Sequence, residues 1–228
     1  VSKIEYTLHL VNHFSNLQEQ LHDIDTDIYR DLKKSILQEA IQGKLVPQIA
    51  EEGTAKALLE QIKAEKQKLV KEGKLKKSAL ATFIIFRDDN NKYYEKVGKK
   101  CVDITEKISF DIPESWQWIK LEQGISLLSG RDLEPSQYND LHHGIPYITG
   151  ASNFANSNLI INRWTEAPIT ISNKGDLLLT CKGTIGSMAF NDIGQIHIAR
   201  QVMAITSYGI DLKYIKCFLQ SNLSILEK

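Results

Sequence analysis

Apolar residues at Leu10, Phe14, Leu17, Leu21, Ile24 and Ile28 alternate in steps of four and three, and Leu32 and Ile36 extend the run in steps of four. That spacing predicts a long helix with a heptad seam, too narrow to bury itself without another helix. Gln18, Glu19, Gln20, Asp23, Asp25, Asp27 and Arg30 lie between and suit a solvated face. The six residues from Leu10 to Ile28 are therefore candidates for a coiled-coil contact with a partner helix or a second copy. The plainer alternative is a helix packed on its own domain. Gly43 suits the left-handed position past the last turn, Lys44 suits the negative helix end, and Pro47 prevents resumption.

A second helix is predicted from Thr54, its N-cap, to about Glu72, with Leu58, Leu59, Ile62 and Leu69 facing inward and Gly73 ending it. Its outer face is basic: between Lys56 and Lys77 eight lysines stand against Glu60, Glu65 and Glu72. Such a run serves either as a solvated face, with Glu60–Lys63 and Lys68–Glu72 pairs, or as a contact for phosphates or an acidic partner.

From Ala79 the pattern changes. ATFIIF is an apolar, β-prone run and RDDNNKYYEKV reads as a turn flanked by strands, so a hairpin is expected. From Ile119 to Thr206 short apolar runs are cut by Gly, Asn, Asp and Ser: GISLLSG, GIPYITGASNF, NLIINRW, GDLLLTCKGTIGSMAFN and QIHIARQVMAIT. Strands of about five residues bounded by turns predict a mixed, strand-rich domain. A helix over Asp211 to Leu226 closes it, with Leu212, Ile215, Leu219, Leu223 and Leu226 on one face. The expected class is α+β: long N-terminal coiled-coil-type helices over 1–78, a bridging hairpin and linker over 79–109, and the strand-rich domain over 110–228.

The chain has 228 residues, and its 28 basic and 28 acidic residues cancel. A generally basic nucleic-acid coat is excluded, so any such contact must be local. Cys101, Cys181 and Cys217 are too few and too far apart for a disulfide framework or a zinc knuckle, which fits a reducing, cytoplasmic setting. No apolar run approaches the roughly 20 residues of a membrane span, and the start VSKIEYTLHL lacks the layout of a signal peptide. No membrane association is expected.

Catalytic parts are missing from the sequence. There is no N-P-P-[YF] phrase for adenine methylation, no GxxxxGK[ST] loop for ATP, and no PD…ExK nuclease constellation. The lysine of KGTIG precedes its glycines, so that turn is not a Walker loop. His9 and His13 are four apart with no glutamate arranged as in HExxH, and His142 and His143 lie in a loop without a metal-ligand pattern, so all four read as solvated histidines.

Several phrases in this order carry a family resemblance: QGKLVPQ at Gln42–Gln48, the bridge KKCVDITEKISFDIPESWQW ending at Trp118, GIPYITG at Gly144–Gly150, and GDLLLTCKGTIGSMAF at Gly175–Phe190 followed by IARQVMAI. The chain resembles the specificity subunit of type I restriction-modification enzymes from about Leu32 onward. The resemblance implies a helical spacer leading into a target-recognition domain. Its role would be to choose a double-stranded DNA sequence without catalysing any reaction. Methylation subunits, which bind S-adenosylmethionine, and an ATP- and magnesium-dependent restriction subunit would be the partners, and this chain would hold no cofactor itself. Trp116 and Trp118 would pin the start of the domain into its core, the alternative being base stacking. A full specificity subunit resembles two tandem halves, whereas one spacer and one recognition domain occur here, in a portion of a longer subunit or a half-sized one. In either case the open seam implies self-association into a homodimer.

Side-chain chemistry nominates the contacts. Arginine can bind guanine bidentately and glutamine or asparagine can do so for adenine, while lysine, threonine and backbone N–H groups suit phosphates. Arg131, in SGRDLEPSQY, and Arg200 and Gln201, after an apolar strand, are assigned to bases; Lys182 and Thr184, in the KGTIG turn, to the backbone. Tyr147, Thr149 and Asn153, around the loop after IPYI, are further candidates. Gly183 and Gly186 make either a turn that admits a phosphate or a plain turn between strands. The rival function is an interaction or adaptor protein, in which the coiled coil acts and the strand-rich domain binds a protein or a small ligand.

Overall fold

The computed structural model describes residues 3–81 and 83–226, the side chains of 3–16, 19, 50 and 225–226 excepted. The side-chain assignments for Leu10, Phe14, His9, His13 and Leu226 therefore lie outside the described residues. The chain divides into two units, Val1–Val46 and Pro47–Lys228.

The first unit is helix α1, Lys3–Ile41. It ends in a Schellman turn: Gly43 has φ 69°, its N–H donates to Ala40 O at 3.1 Å, and the Lys44 N–H donates to Glu39 O at 3.0 Å. The described seam residues stand open, from 46% exposure at Ile36 to 60% at Leu21 and Ile28. The helix is as long as the heptad spacing requires, but among the described residues of this unit it has no partner helix, so a coiled coil is not confirmed.

The second unit begins with α2, Ala55–Lys71, capped by Thr54, whose side chain accepts the Ala57 N–H at 3.3 Å. A second Schellman turn ends it, with Gly73 at φ 72° and the Lys74 N–H on Leu69 O at 2.9 Å. The basic face needs correction at two points. Lys66 is only 6% exposed, its ammonium donating to the carbonyls of Glu122 and Gln123 and lying 5.0 Å from the Tyr208 ring. Desolvation holds its pKa below the usual lysine value, with Glu122 opposing. Lys68 pairs with Glu65 and Lys74 with Glu72, at 4.0 and 2.8 Å, in place of the expected Glu60–Lys63 and Lys68–Glu72 pairs.

The expected hairpin is a three-stranded antiparallel meander of β1 (Phe83–Arg87), β2 (Tyr93–Val97) and β3 (Lys100–Asp103). Asp88 closes its first turn, accepting the N–H groups of Asn90 and Lys92. The segment after it fastens the meander down: Gln117 and Gln123 donate to Ile85 O and Phe83 O, and Lys120 pairs with Glu95 while lying 4.2 Å from the Phe83 ring. Trp116 pins this segment to the approach of α2. Its indole N–H and the Ser115 hydroxyl both donate to Gln48 Oε1 at 2.9 Å, and its ring meets Tyr214 edge-on.

After α3 (Leu121–Gly124) come β4 (Ile125–Ser129), β5 (Ile145–Ile148), β6 (Phe154–Ala155), β7 (Asn158–Leu159), β8 (Trp164–Thr165), β9 (Ile171–Ser172), β10 (Leu177–Thr180), β11 (Met188–Phe190), β12 (Ile196–Ile198) and β13 (Val202–Ser207). They form an antiparallel sheet in the order β11-β10-β13-β4 and a mixed sheet in the order β8-β5-β12-β9, in which β5 and β12 run parallel. Strands β6 and β7 make a separate ribbon. All four residues of β10 are buried because both its faces are covered. Leu177 and Leu179 join Ile125, Met188, Ile205 and the helix residues Ile215 and Leu219, while Leu178 joins Ile148, Ile196, Ile198, Val202 and Ala204 from the two sheets. The closing helix is α4, Leu212–Ser221, capped by Asp211. Its expected run to Leu226 is broken at Asn222, whose amide donates to Phe218 O at 2.8 Å, and a short α5, Leu223–Leu226, follows.

Candidate nucleic-acid interface

Strand register brings five strand ends together. β13 starts at Val202, which pairs with Thr180 at the end of β10, while Met203 pairs with Ser129 at the end of β4. In the other sheet Ile198, ending β12, pairs with Ile148, ending β5. The loops after β4, β5, β10 and β12 therefore emerge at one end of the two sheets. Loops placed on a rigid scaffold in this way commonly carry binding.

At their centre is the tight turn Ala199–Val202, closed by the Val202 N–H on Ala199 O at 2.9 Å. It presents Arg200 and Gln201, both exposed. The loop after β4 packs on it so closely that a Cβ on Gly130 would overlap the Ala199 carbonyl. The N–H groups of Gly130 and Arg131 donate to Val202 O and Ile198 O, and the Asp132 carboxylate pairs with Arg200 Nε at 2.7 Å while accepting the Arg200 N–H at 3.1 Å. From the loop after β10, the Cys181 N–H donates to Gln201 O at 2.8 Å. Lys182 and Thr184 stand exposed at the tip of that loop, which returns to Thr180 through the N–H groups of Gly186 and Ser187. From the loop after β5, Gly150 faces the Gln201 amide.

Buried polar side chains hold these loops. His197 is fully buried: its Nδ1 accepts the N–H groups of Ile169 and Thr170 at 3.3 and 3.1 Å, which leaves Nε2 to donate to Arg131 O at 2.9 Å. Desolvation keeps its pKa below the ordinary histidine value, the hydrogen bonds to Arg131 and Thr170 opposing. The Tyr147 ring lies 4.9 Å from His197, and its hydroxyl accepts the Leu133 N–H at 3.2 Å.

The sequence candidates thus divide. Arg131, Lys182, Thr184, Arg200 and Gln201 share this end of the sheets and are exposed. Tyr147 and Asn153 are corrected: at 3% and 0% exposure they cannot present an edge to a groove. Asn153 Oδ1 accepts the N–H groups of Thr149 and Gly150 and the Thr149 hydroxyl, and its amide donates to Ile160 O and Asn162 Oδ1. Both residues, with half-buried Thr149, brace their loops. The two turn glycines also separate: Gly183 has open space, whereas a Cβ on Gly186 would come 2.6 Å from Leu223, so its close approach is to the chain's own α5.

Sequence reasoning missed Asp132, His197 and Arg163. Arg163 is exposed beside the loop after β5, its guanidinium 4.9 Å from the Tyr138 ring and its carbonyl accepting the Tyr147 N–H. Alternation along QIHIA sets His197 on the face opposite Ile196 and Ile198, which reads as polar, and it is buried only because β12 is covered on both faces; Asp132 and Arg200 are 68 residues apart with no local pattern linking them. His142, expected to be solvated, is exposed, and it also stacks on Trp164 with ring centroids 3.8 Å apart. Among the described residues no group of His, Cys, Asp and Glu is arranged to hold a metal ion, and no helix is long and apolar enough to cross a membrane.

No family model matches the chain. In sequence it is similar to the type I restriction enzyme EcoAI specificity subunit of Escherichia coli, with 37% identity over 99 residues, 43% of this chain. It is also similar to the EcoEI specificity subunit of the same organism, with 36% identity over 100 residues, 42% of this chain. The chain spans only 14% of the length of each. A solved chain described under complex assembly and conformational transition of the type I R-M system matches 98% of this chain and 43% of its own length, with TM-score 0.51 and 17% identity, and so shares the fold. The HsdS subunit from Thermoanaerobacter tengcongensis matches 52% of this chain and 31% of its own, with TM-score 0.46 and 24% identity. The α+β, strand-rich fold is that of this chain itself, and the match at TM-score 0.51 shares it. By sequence, just over two fifths of the chain is similar to specificity subunits of type I restriction enzymes.

Proposed function

We propose that the chain is a non-catalytic DNA-recognition component of a type I restriction-modification complex, reading one part of a target through the four loops around Arg200. The observation that carries this reading is the gathering of exposed Arg131, Lys182, Thr184, Arg200 and Gln201 at one end of two sheets, on loops tied down by buried polar groups. Arg131, Arg200 and Gln201 face base edges and Lys182 and Thr184 face phosphates, a division that separates specificity from affinity. Similarity to specificity subunits supplies the biological setting.

In that setting adenine methylation belongs to partner subunits that bind S-adenosylmethionine, and cleavage to an ATP- and magnesium-dependent restriction subunit. The open seam of α1 pairs with another spacer helix, from a second copy or a second half. Substituting one residue of each kind tests the division on duplexes. Arg200→Ala costs about 1–3 kcal/mol on the selected site and little on random duplex. Lys182→Ala weakens both alike and lowers the salt slope by about one. Equal loss on both duplexes for Arg200→Ala would make Arg200 a phosphate contact.

The same open seam also favours a second reading, an interaction or adaptor protein acting through α1. Salt separates the two, since DNA binding weakens steeply as salt rises and an apolar helix contact does not.

A further inference from the structure

We infer that Asp132 is a positioning and specificity-determining residue: its carboxylate fixes the Arg200 guanidinium and repels phosphate from it, so that Arg200 meets a base edge and not the DNA backbone. This rests on the DNA-recognition reading above.

Asp132 bridges two groups of one residue, accepting the Arg200 N–H through Oδ1 at 3.1 Å and pairing with Nε through Oδ2 at 2.7 Å. The side chains are 45% and 67% exposed. An ordinary pair that open contributes little, because ordering two mobile side chains offsets the Coulomb gain. Here the backbone has already done most of the ordering. On one side of Asp132, the N–H groups of Gly130 and Arg131 are bonded to Val202 O and Ile198 O, and Arg131 O is held by His197. On the other, the Leu133 N–H is bonded to the buried Tyr147 hydroxyl. Arg200 sits on the turn closed between Ala199 and Val202, and its neighbour Gln201 is tied to Cys181.

A guanidinium recognises guanine through two parallel N–H donors in one plane, and a side chain already held in one orientation loses less rotamer freedom on doing so. With Nε held by Asp132, the terminal amino edge is the one left to point outward. A phosphate approaching that edge also approaches the Asp132 carboxylate and is repelled. Guanine O6 and N7 are neutral acceptors and escape most of that repulsion. The pair therefore lowers affinity for arbitrary DNA and preserves affinity for the right base, a form of discrimination by repulsion.

The test compares the full chain and its variants on two duplexes of equal length, one carrying the selected site and one scrambled. Asp132→Asn keeps the size and a hydrogen-bond acceptor but removes the charge. The expected result is tighter binding to the scrambled duplex, a steeper salt dependence, and a ratio of selected to scrambled affinity about tenfold lower. Asp132→Glu restores the charge and most of the ratio. In an Arg200→Ala background, Asp132→Asn changes the ratio by about twofold at most. Should Asp132→Asn fail to melt cooperatively, Asp132→Ser takes its place. If the unmodified chain discriminates and removing the charge leaves the ratio unchanged, the inference is overturned and the DNA reading stands. If the unmodified chain binds both duplexes equally, the reading falls and the inference with it.

Discussion

At the scale of single residues, the loop end of the two sheets depends on polar side chains that are themselves buried. His197 illustrates the cost. In the fold it is neutral, with Nδ1 an acceptor, and its pKa lies below the ordinary value of about 6.5 that it regains on unfolding. As pH falls through about 6.5 the unfolded chain therefore takes up the proton first, and stability drops by up to about 1.4 kcal/mol per unit until the folded-state pKa is reached. Above that range His197 contributes no pH dependence. Urea unfolding between pH 8 and 5 should show this loss, and His197→Gln should show a smaller one; parallel curves would deny His197 the role. Asn153 is the second case. Its amide serves five partners while fully buried, so Asn153→Ala should cost about 2–4 kcal/mol by urea unfolding, more than the same change at exposed Asn158.

At the scale of elements, glycines and caps set the joints. Gly183 and Gly186 both have positive φ, 74° and 91°, so alanine strains either by about 1 kcal/mol. Only at Gly186 does the added methyl meet Leu223, so Gly186→Ala should cost about 1–3 kcal/mol more than Gly183→Ala in thermal or urea unfolding. Equal losses would show that α5 gives way. This is also the scale at which the sequence was most legible. Seam spacing, the Gly43 and Gly73 stops, the Thr54 cap and the LLL run of β10 each encode their own geometry within a few residues. The misses have local reasons as well. β3 is a fully exposed strand, KCVD, whose two apolar residues are adjacent and give no alternation. The α4–α5 break turns on a side-chain hydrogen bond of Asn222 that periodicity does not register. Lys66 reads as part of a basic face until α3 supplies carbonyls to bury it.

For the whole molecule, what the sequence could not reveal is convergence. Arg131 and Arg200 were legible as cations in loops, but their meeting depends on β4 pairing with β13 and on β5 running parallel to β12, contacts between segments some fifty or more residues apart. Tyr147 was misjudged for the same reason, since it is buried against His197 from a distant strand, whereas Asn153 closes its own loop on partners within nine residues, a bracing role that residue type alone does not reveal. The open seam of α1 carries a prediction at this scale. Leu21→Glu combined with Ile28→Glu should abolish concentration-dependent self-association in sedimentation equilibrium while leaving the unfolding of the strand-rich unit unchanged. Persistent self-association would place the contact elsewhere.

The most direct test of the central claim is selection of duplexes from a randomised pool by the full chain, alone and assembled with the methylation subunits. The expected result is enrichment of a short site, single or as an inverted pair, that disappears with Arg200→Ala while the assembly persists. Stable assembly with no sequence enriched above the starting pool would contradict it.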